Sequence, residues 1–357
     1  IVFGDWSSDV CSSDLVGDAP GVAEALAQVL VTLAAVQADV TGLVEAVQEA
    51  KDQPDLPLAA EFCLELRAAA LWVGEFAADA QRVLRAEDPA YVYWIEVLDS
   101  EPETARAWGA PIAVGPLLHE RLYAPKRSVL LTSATLTVRG SPAFLKSRLG
   151  MDMVAPERVQ TVVLGTPFDH ARQSLVLVPV FLPEPGRNDP PYAIELGRLL
   201  ARMVRCTQGR TMVLFTSYDM LGCCLGVMRR ELVGTGIRIL AQGTSGSRDS
   251  ITRLFREEGR SVLLGTHSFW EGVDIVGEAL SCLVLARLPF PVFTDPLIAA
   301  RGEAIEADGG DAFRDYSLPS AAIRFRQGFG RLIRHRSDRG VVVVADRRIV
   351  SRRYGEW

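Results

Sequence analysis

The sequence predicts an α/β chain: a parallel sheet with helices on both faces, preceded by a pair of long helices. Two observations carry this expectation. Beyond Pro167, short β-branched runs alternate with helix-period stretches, and the runs are apolar throughout rather than every second residue. That is the pattern of strands buried on both sides between crossover helices. Upstream of residue 90, apolar residues instead recur at spacings of three and four through two stretches separated by a proline-containing break.

The first helical face runs from Val22 to Ala50 through Leu26, Val29, Leu30, Leu33, Val36, Val40, Leu43, Val44 and Val47. The stretch Lys51–Pro57 ends it, and a second helix is expected from about Leu58 to Leu84, giving a helical hairpin over 22–84. Strands are expected at Tyr91–Val97 (YVYWIEV), near Pro111–Val114, and at Ser128–Thr132 (SVLLT). The alternating part follows. Its strands fall at Ser174–Val180, Thr211–Thr216, Ser261–Gly265, Ser281–Ala286 and Gly340–Ala345. Its helices fall at Tyr192–Cys206, Tyr218–Leu232, Arg248–Glu258, Pro296–Ala307 and Pro319–Arg334. In open parallel sheets the working residues sit on loops at the carboxyl ends of strands, which says where to look for chemistry.

Composition excludes several classes. At 357 residues and 48% hydrophobic content the chain can bury a sizeable core, most simply in two domains. The net charge of -6 gives no global sign of a polyanion partner. Locally, though, Arg324, Arg326, Arg331, Arg334, Arg336, Arg339, Arg347, Arg348, Arg352 and Arg353 crowd the last stretch, so a basic face is possible within an acidic chain. The six cysteines have no metal-ligand spacing, so neither zinc nor an iron–sulfur cluster can be read, and isolated cysteines suit a reducing cytoplasmic setting. The longest uncharged apolar run, Ala25–Ala38, is too short to span a bilayer and contains Gln28, Thr32 and Gln37, so no membrane partner is expected. Asp5–Leu15 reads DWSSDVCSSDL, which back-translates without strain to a common sequencing adapter. Residues 1–15 are accordingly set aside from fold and function.

Four loops concentrate functional residue types. Thr132-Ser133-Ala134-Thr135 follows the SVLLT strand; by itself it is equally well a hydroxyl-satisfied turn. Thr216-Ser217-Tyr218 follows the next domain's second strand, where hydroxyls cap a helix or meet a phosphate. Gly265–Asp274 packs glycines, hydroxyls, Phe269, Trp270, Glu271 and Asp274 into ten residues, a mixture that fits base stacking with phosphate contact. Gln327–Arg334 (QGFGRLIR) sets Arg331 and Arg334 at i, i+3 on an expected helix. Gly328 and Gly330 weaken that helix and point to close approach of another chain or a ligand. Guanidinium groups so placed can stabilise charge on a transferring phosphoryl group, although for an isolated pair a salt-bridged surface helix is the plainer reading.

These segments, in this order, resemble the later motifs of superfamily 2 helicases of the DinG/XPD branch, over about Tyr91 to Trp357. TSATL (Thr132–Leu136) resembles motif III, and Gly165-Thr166-Pro167-Phe168-Asp169 the lead-in to the second RecA-like domain. LFTSY (Leu214–Tyr218) resembles motif IV, GTHSFWEGVDIVG (Gly265–Gly277) motif V and QGFGRLIR motif VI, followed by VVVVADRR and RRYGEW. The resemblance implies an ATP-driven motor moving 5′ to 3′ on single-stranded DNA, with ATP and Mg2+ held between two RecA-like domains. It implies Arg331 and Arg334 as arginine fingers placed by Gln327 and Gly330. It puts Glu271, Gly272 and Asp274 on the nucleotide side of motif V. Thr216, Ser217, Tyr218, Gln242, Thr266 and Trp270 become DNA-binding candidates, and Thr132, Ser133, Ala134 and Thr135 couple the two sites.

By that resemblance, residues 16–90 correspond to an inserted helical (Arch-like) segment. Residues 91–150 correspond to the end of a first RecA-like domain, and 151–357 to a second. The departures are as informative. There is no G-x-x-x-x-G-K-[ST] loop, no D-E-x-H segment and no four-cysteine iron–sulfur set. In the family all three precede the region matched here. The chain as written is therefore expected not to hydrolyse ATP by itself, and a truncated gene accounts for the gap. A non-catalytic nucleic-acid-binding module and the helicase-like part of a nuclease fusion are the competing readings.

Overall fold

The computed structural model describes residues 20–49, 59–98, 101–186, 189–270 and 279–356. The adapter-like string lies outside the described residues. The described residues form two compact units, one up to residue 114 together with 292–308, the other comprising those of 115–291 and 309–356.

In the first unit, α1 (Pro20–Glu49) and α2 (Ala59–Arg85) pack on one another as the expected hairpin. Val44, Cys63 and Ala70 are buried there, with the Cys63 Sγ 3.9 Å from the Val44 carbonyl. Because α1 continues past Asp39, its Ala27–Glu49 stretch of 23 residues, mean hydropathy 1.5, is long and apolar enough to cross a bilayer. The shorter uncharged run had failed that length test. Length and composition alone are weak grounds for a membrane segment. Next, β1 (Tyr91–Leu98) and β2 (Glu101–Pro111) make an antiparallel hairpin with Tyr91 opposite Pro111. Trp94 and Trp108 face each other across it, rings stacked at 5.9 Å, and the Trp108 indole donates to Glu96 at 3.1 Å. The strand expected near Pro111–Val114 does not form: the strand there is β2, which lies upstream and ends at Pro111. The helix Pro296–Ala307 belongs to this unit, Arg301 Nε donating to the Ile112 carbonyl at 2.9 Å.

The second unit carries the sheet. Its strands and longer α-helices are β3 (Ser174–Leu177), α3 (Pro190–Thr207), β4 (Thr211–Leu214), α4 (Tyr218–Glu231), β5 (Arg238–Ala241), α5 (Arg248–Glu258), β6 (Ser261–Gly265), β7 (Cys282–Leu285), α6 (Leu318–Phe329) and β8 (Gly340–Val344). The strand order is β3-β8-β7-β4-β6-β5, every pairing parallel. This is the predicted α/β architecture, with two cores divided by the period-2 geometry of the strands. Val213, Phe215, Val262, Leu264 and Val284 face α3 and α4, meeting Tyr192, Leu196, Leu200 and Met228. Met212, Leu214, Leu263, Leu283 and Leu285 face the other way, onto Ile251, Phe255, Phe269, Trp270 and Leu332. Each such fully buried side chain contributes roughly 1.5–3 kcal/mol by leaving water. Asp189, Ser217 and Ser247 cap α3, α4 and α5, each accepting from a backbone N–H inside the first turn.

Two further expectations give way. Ser128–Thr132 is not a strand: among the described residues nothing pairs with it, and Leu130 stands 88% exposed. An apolar run becomes a strand only when a neighbour completes its hydrogen-bond ladder. The helix expected to reach Arg334 stops at Phe329, where Gly330 serves as its C-cap.

Candidate nucleic-acid and nucleotide interface

Because the sheet is parallel, the loops after β4, β5 and β6 emerge at one edge. A single side chain ties them together. Gln242, immediately after β5, accepts at Oε1 from the Thr266 amide (2.8 Å) and the Thr266 hydroxyl (3.0 Å). Its Nε2 donates to the Tyr218 hydroxyl (2.6 Å) and the Ser268 hydroxyl (3.0 Å). Both donor protons and both acceptor positions are used, so the amide is fully satisfied by the protein. Four residues picked out separately in the sequence therefore meet as one constellation: Tyr218, Gln242, Thr266 and, beside them, the capping Ser217.

Their roles sort by exposure. Thr266 is buried and its hydroxyl is committed to Gln242. Ser217 Oγ accepts from Met220 N at 3.3 Å, and Thr216 next to it is half-buried. Tyr218 is 58% exposed.

Trp270 requires a correction. It is only 3% exposed, its indole N–H donates to the Phe215 carbonyl at 3.0 Å, and Phe269 beside it is wholly buried. Neither aromatic offers a face to a base. They form the core beneath the loop, and two glycines make room for them. A Cβ on Gly265 would lie 2.5 Å from the Phe269 ring, and one on Gly328 would lie 2.8 Å from the Trp270 ring. The close approach that Gly328 signalled is thus to the protein's own indole.

The arginine segment is a turn, not a helical face. Arg331 Nε and Nη2 both donate to the Trp270 carbonyl (3.1 and 2.7 Å), joining this turn to the loop after β6. The Arg334 and His335 amides donate to Asp338 Oδ2 at 2.9 and 2.8 Å. Gln173, which no sequence pattern singled out, lies 6% exposed with Nε2 3.0–3.1 Å from the carbonyls of His335, Arg336 and Asp338. A lone glutamine before a strand gives no signal until the strand's partner is known. Gln327 lies on the last turn of α6, half-buried, with its Oε1 buried. Glu271, Gly272 and Asp274 lie outside the described residues.

Thr132, Ser133, Ala134 and Thr135 sit in an exposed turn in which Thr135 N donates to Ser133 Oγ at 3.2 Å. Two residues on, Thr137 accepts through its carbonyl from Arg326 of α6 at 2.6 Å, a physical link from this turn to the helix that precedes Arg331.

A second polar cluster, unread in the sequence, closes the ends of β7 and β8. Asp346 is completely buried and accepts from Leu288 N (3.0 Å), Arg348 N (3.1 Å) and the Arg348 guanidinium (2.6–3.2 Å). That hydrogen-bonded carboxylate raises the Arg348 pKa. The Tyr192 hydroxyl shares its proton between the carbonyls of Ala286 (2.8 Å) and Ala345 (2.5 Å), and burial raises its pKa.

As a donor set for a nucleotide, the described residues offer guanidinium groups on one turn and no backbone cradle. That suits one flank of a polyphosphate and not a whole site. Among the described residues no group of His, Cys, Asp and Glu could hold a metal ion, and the free cysteines do not converge.

Similarity to known proteins extends over much of the chain. Residues 200–357 match the family described as helicase C-terminal domain. The chain is 36% identical over 278 residues to the 3'-5' exonuclease DinG of Bacillus subtilis, covering 77% of this chain and 30% of that protein. It is 38% identical over 269 residues to the ATP-dependent DNA helicase YoaA of Haemophilus influenzae, covering 74% and 39%. It is 37% identical over 290 residues to the ATP-dependent helicase DinG of Mycobacterium tuberculosis, covering 79% and 42%. A solved XPD helicase structure superposes with a TM-score of 0.55 at 14% identity, over 85% of this chain and 54% of that one, a likeness of fold. The chain thus spans well under half the length of these curated relatives.

Proposed function

Because the chain belongs to the DinG/XPD helicase family, we propose that it is the C-terminal portion of an ATP-dependent DNA helicase that moves 5′ to 3′ along single-stranded DNA. The observation that carries this reading is the knot at Gln242. It gathers the loops after β4, β5 and β6 into one surface, and the Arg331–Trp270 bond ties the arginine turn to the same loop. A motor needs that connection, since strand contact and nucleotide state must bias the same element.

In this reading residues 16–90 are an Arch-like segment, 91–150 the end of a first RecA-like domain and 151–357 a second. Thr216, Ser217 and Tyr218 face the strand, while Gln242 and Thr266 hold the loops that present them. Arg331 and Arg334 serve as arginine fingers placed by Gln327 and Gly330, and Glu271, Gly272 and Asp274 belong to the nucleotide flank. Arg331 must leave the Trp270 carbonyl to reach a phosphate, which makes that bond the natural switch between idle and engaged states. Thr132–Thr135 couple the two sites through Thr137 and Arg326. ATP bound with Mg2+ supplies the free energy for translocation, its remaining contacts coming from residues of the parent protein other than these 357. An iron–sulfur cluster, where the parent has one, lies outside this sequence as well. The protein works inside the cell on DNA.

Two assays on the purified chain test the reading: fluorescence anisotropy with labelled oligo-dT, and ATP turnover with and without that strand. Salt-sensitive strand binding without ATP turnover is the expected result. Failure to bind any single strand at low salt would refute it. The name of the Bacillus subtilis relative supports a second reading, the helicase-like part of a nuclease fusion. Recovery of the complete gene with an acidic exonuclease segment in frame would favour that one.

A further inference from the structure

Of the aromatic side chains in the described parts of the loops after β4 and β6, Phe215, Phe269 and Trp270 are buried and Tyr218 is exposed. Resting on the nucleic-acid reading above, we propose that Tyr218 is a stacking platform for an unpaired base and that Gln242 is the positioning residue that fixes its ring.

The argument is geometric. Tyr218 opens α4, so its backbone is held by the helix and by the Ser217 cap. Its hydroxyl, at the far end of the ring, accepts from Gln242 Nε2 at 2.6 Å. Gln242 cannot swing away without also giving up Thr266 and Ser268. A ring pinned at both ends has already lost the rotamer freedom that stacking would otherwise cost.

Tyr218 is 58% exposed, so solvent reaches its ring. Gly243 beside it turns the chain with a φ of +83°, and even a Cβ there would only reach ordinary contact, 3.9 Å from the ring edge. The turn that follows, Gly243 to Ser247, is rich in hydroxyls and exposes Thr244, Gly246 and Ser247, the groups that suit a phosphate next to a stacked base. Stacking of this kind tolerates any base, which matches a protein that must travel along arbitrary sequence. The aromatic role that the sequence assigned to Trp270 thus passes to the exposed ring on the neighbouring loop.

The test compares binding of labelled oligo-dT with an abasic strand of the same length, at one salt concentration, using the whole chain. The wild-type chain should prefer oligo-dT about tenfold. Tyr218→Ala should erase that ratio, weakening oligo-dT binding far more than abasic-strand binding. Gln242→Ala and Tyr218→Phe each keep a ring but lose its tether, and should give an intermediate ratio. A residue that merely supported the fold would weaken both strands alike. Retention of the full ratio in Tyr218→Ala, or equal binding of both strands by the wild type, would overturn the proposal. Wild-type failure to bind either strand would instead bring down the nucleic-acid reading on which it stands, and the two failures look different.

Discussion

Asp346→Asn isolates the contribution of the buried cluster at the ends of β7 and β8. The carboxylate is wholly buried, and its two oxygens accept from the Leu288 amide, the Arg348 amide and the Arg348 guanidinium. Replacing one oxygen by an NH2 group removes the charge and turns a donor toward other donors. Breaking one side of a buried ion pair costs about 3–5 kcal/mol. Arg348 keeps 25% of its side chain exposed and can recover some hydration, so the lower end of that range is expected. The assay is hydrogen exchange of the β7 and β8 amides, which reports the opening free energy of this sheet independently of the helical unit. Arg348→Met alone and the double variant complete a cycle, and removing both partners should restore a large part of the loss. A loss below about 1 kcal/mol in Asp346→Asn, or a coupling energy near zero, would refute the reasoning.

Other consequences can be checked with the same preparations. Gly328→Ala places a methyl 2.8 Å from the Trp270 ring, so overpacking of about 1–3 kcal/mol should outweigh the helix-propensity gain of up to about 1 kcal/mol. A rise in urea midpoint would show that the indole gives way freely. Gln173→Ala strands three carbonyls of the arginine turn and should cost about 1–3 kcal/mol, visible as faster exchange across residues 335–338; unchanged protection would rule out that anchoring role. Burial pushes the Cys224 thiol up to about 12 and the Cys282 thiol up to about 11, from an ordinary value of 9.0. Unfolded thiols then lose protons first as pH rises. Stability should be level below about pH 9 and fall progressively above it. In the native chain, exposed Cys206 and Cys223 should alkylate long before Cys224 and Cys282, and equal rates for all four would contradict the buried placement.

The parallel sheet was legible because β4, β6, β7 and β8 are apolar on both faces, the composition expected of strands between two helical layers. β5 escaped notice for the opposite reason. It is an edge strand, Arg238 to Ala241, whose first residue is charged and exposed. Ser128–Thr132 had the right composition and no partner, and composition alone cannot supply a ladder. The positions of Tyr218, Gln242 and Thr266 could be read from their motifs, but their mutual bonds could not. Those bonds depend on β5 and β6 lying side by side in register, Ala241 beside Leu264. Trp270 misled for a related reason: an aromatic beside glycines and hydroxyls suits a ligand loop, yet Gly265 and Gly328 are there to admit core rings. The arginine turn likewise looked helical because its spacing is helical, whereas Gly330 ends α6 one residue before Arg331.

The pairing of β3 with β8 sets a schedule for synthesis. Ser174 to Leu177 must wait for Gly340 to Val343, made more than 160 residues later. At about 5–20 residues per second, the ribosome leaves β3 without its neighbour for something on the order of 10–30 s. Throughout that interval the Leu175, Val176 and Leu177 edge is open to any other strand, and nascent chains on one message are the nearest source. Slowing translation between β7 and β8 should therefore lower the soluble yield, whereas slowing it after β8 should not.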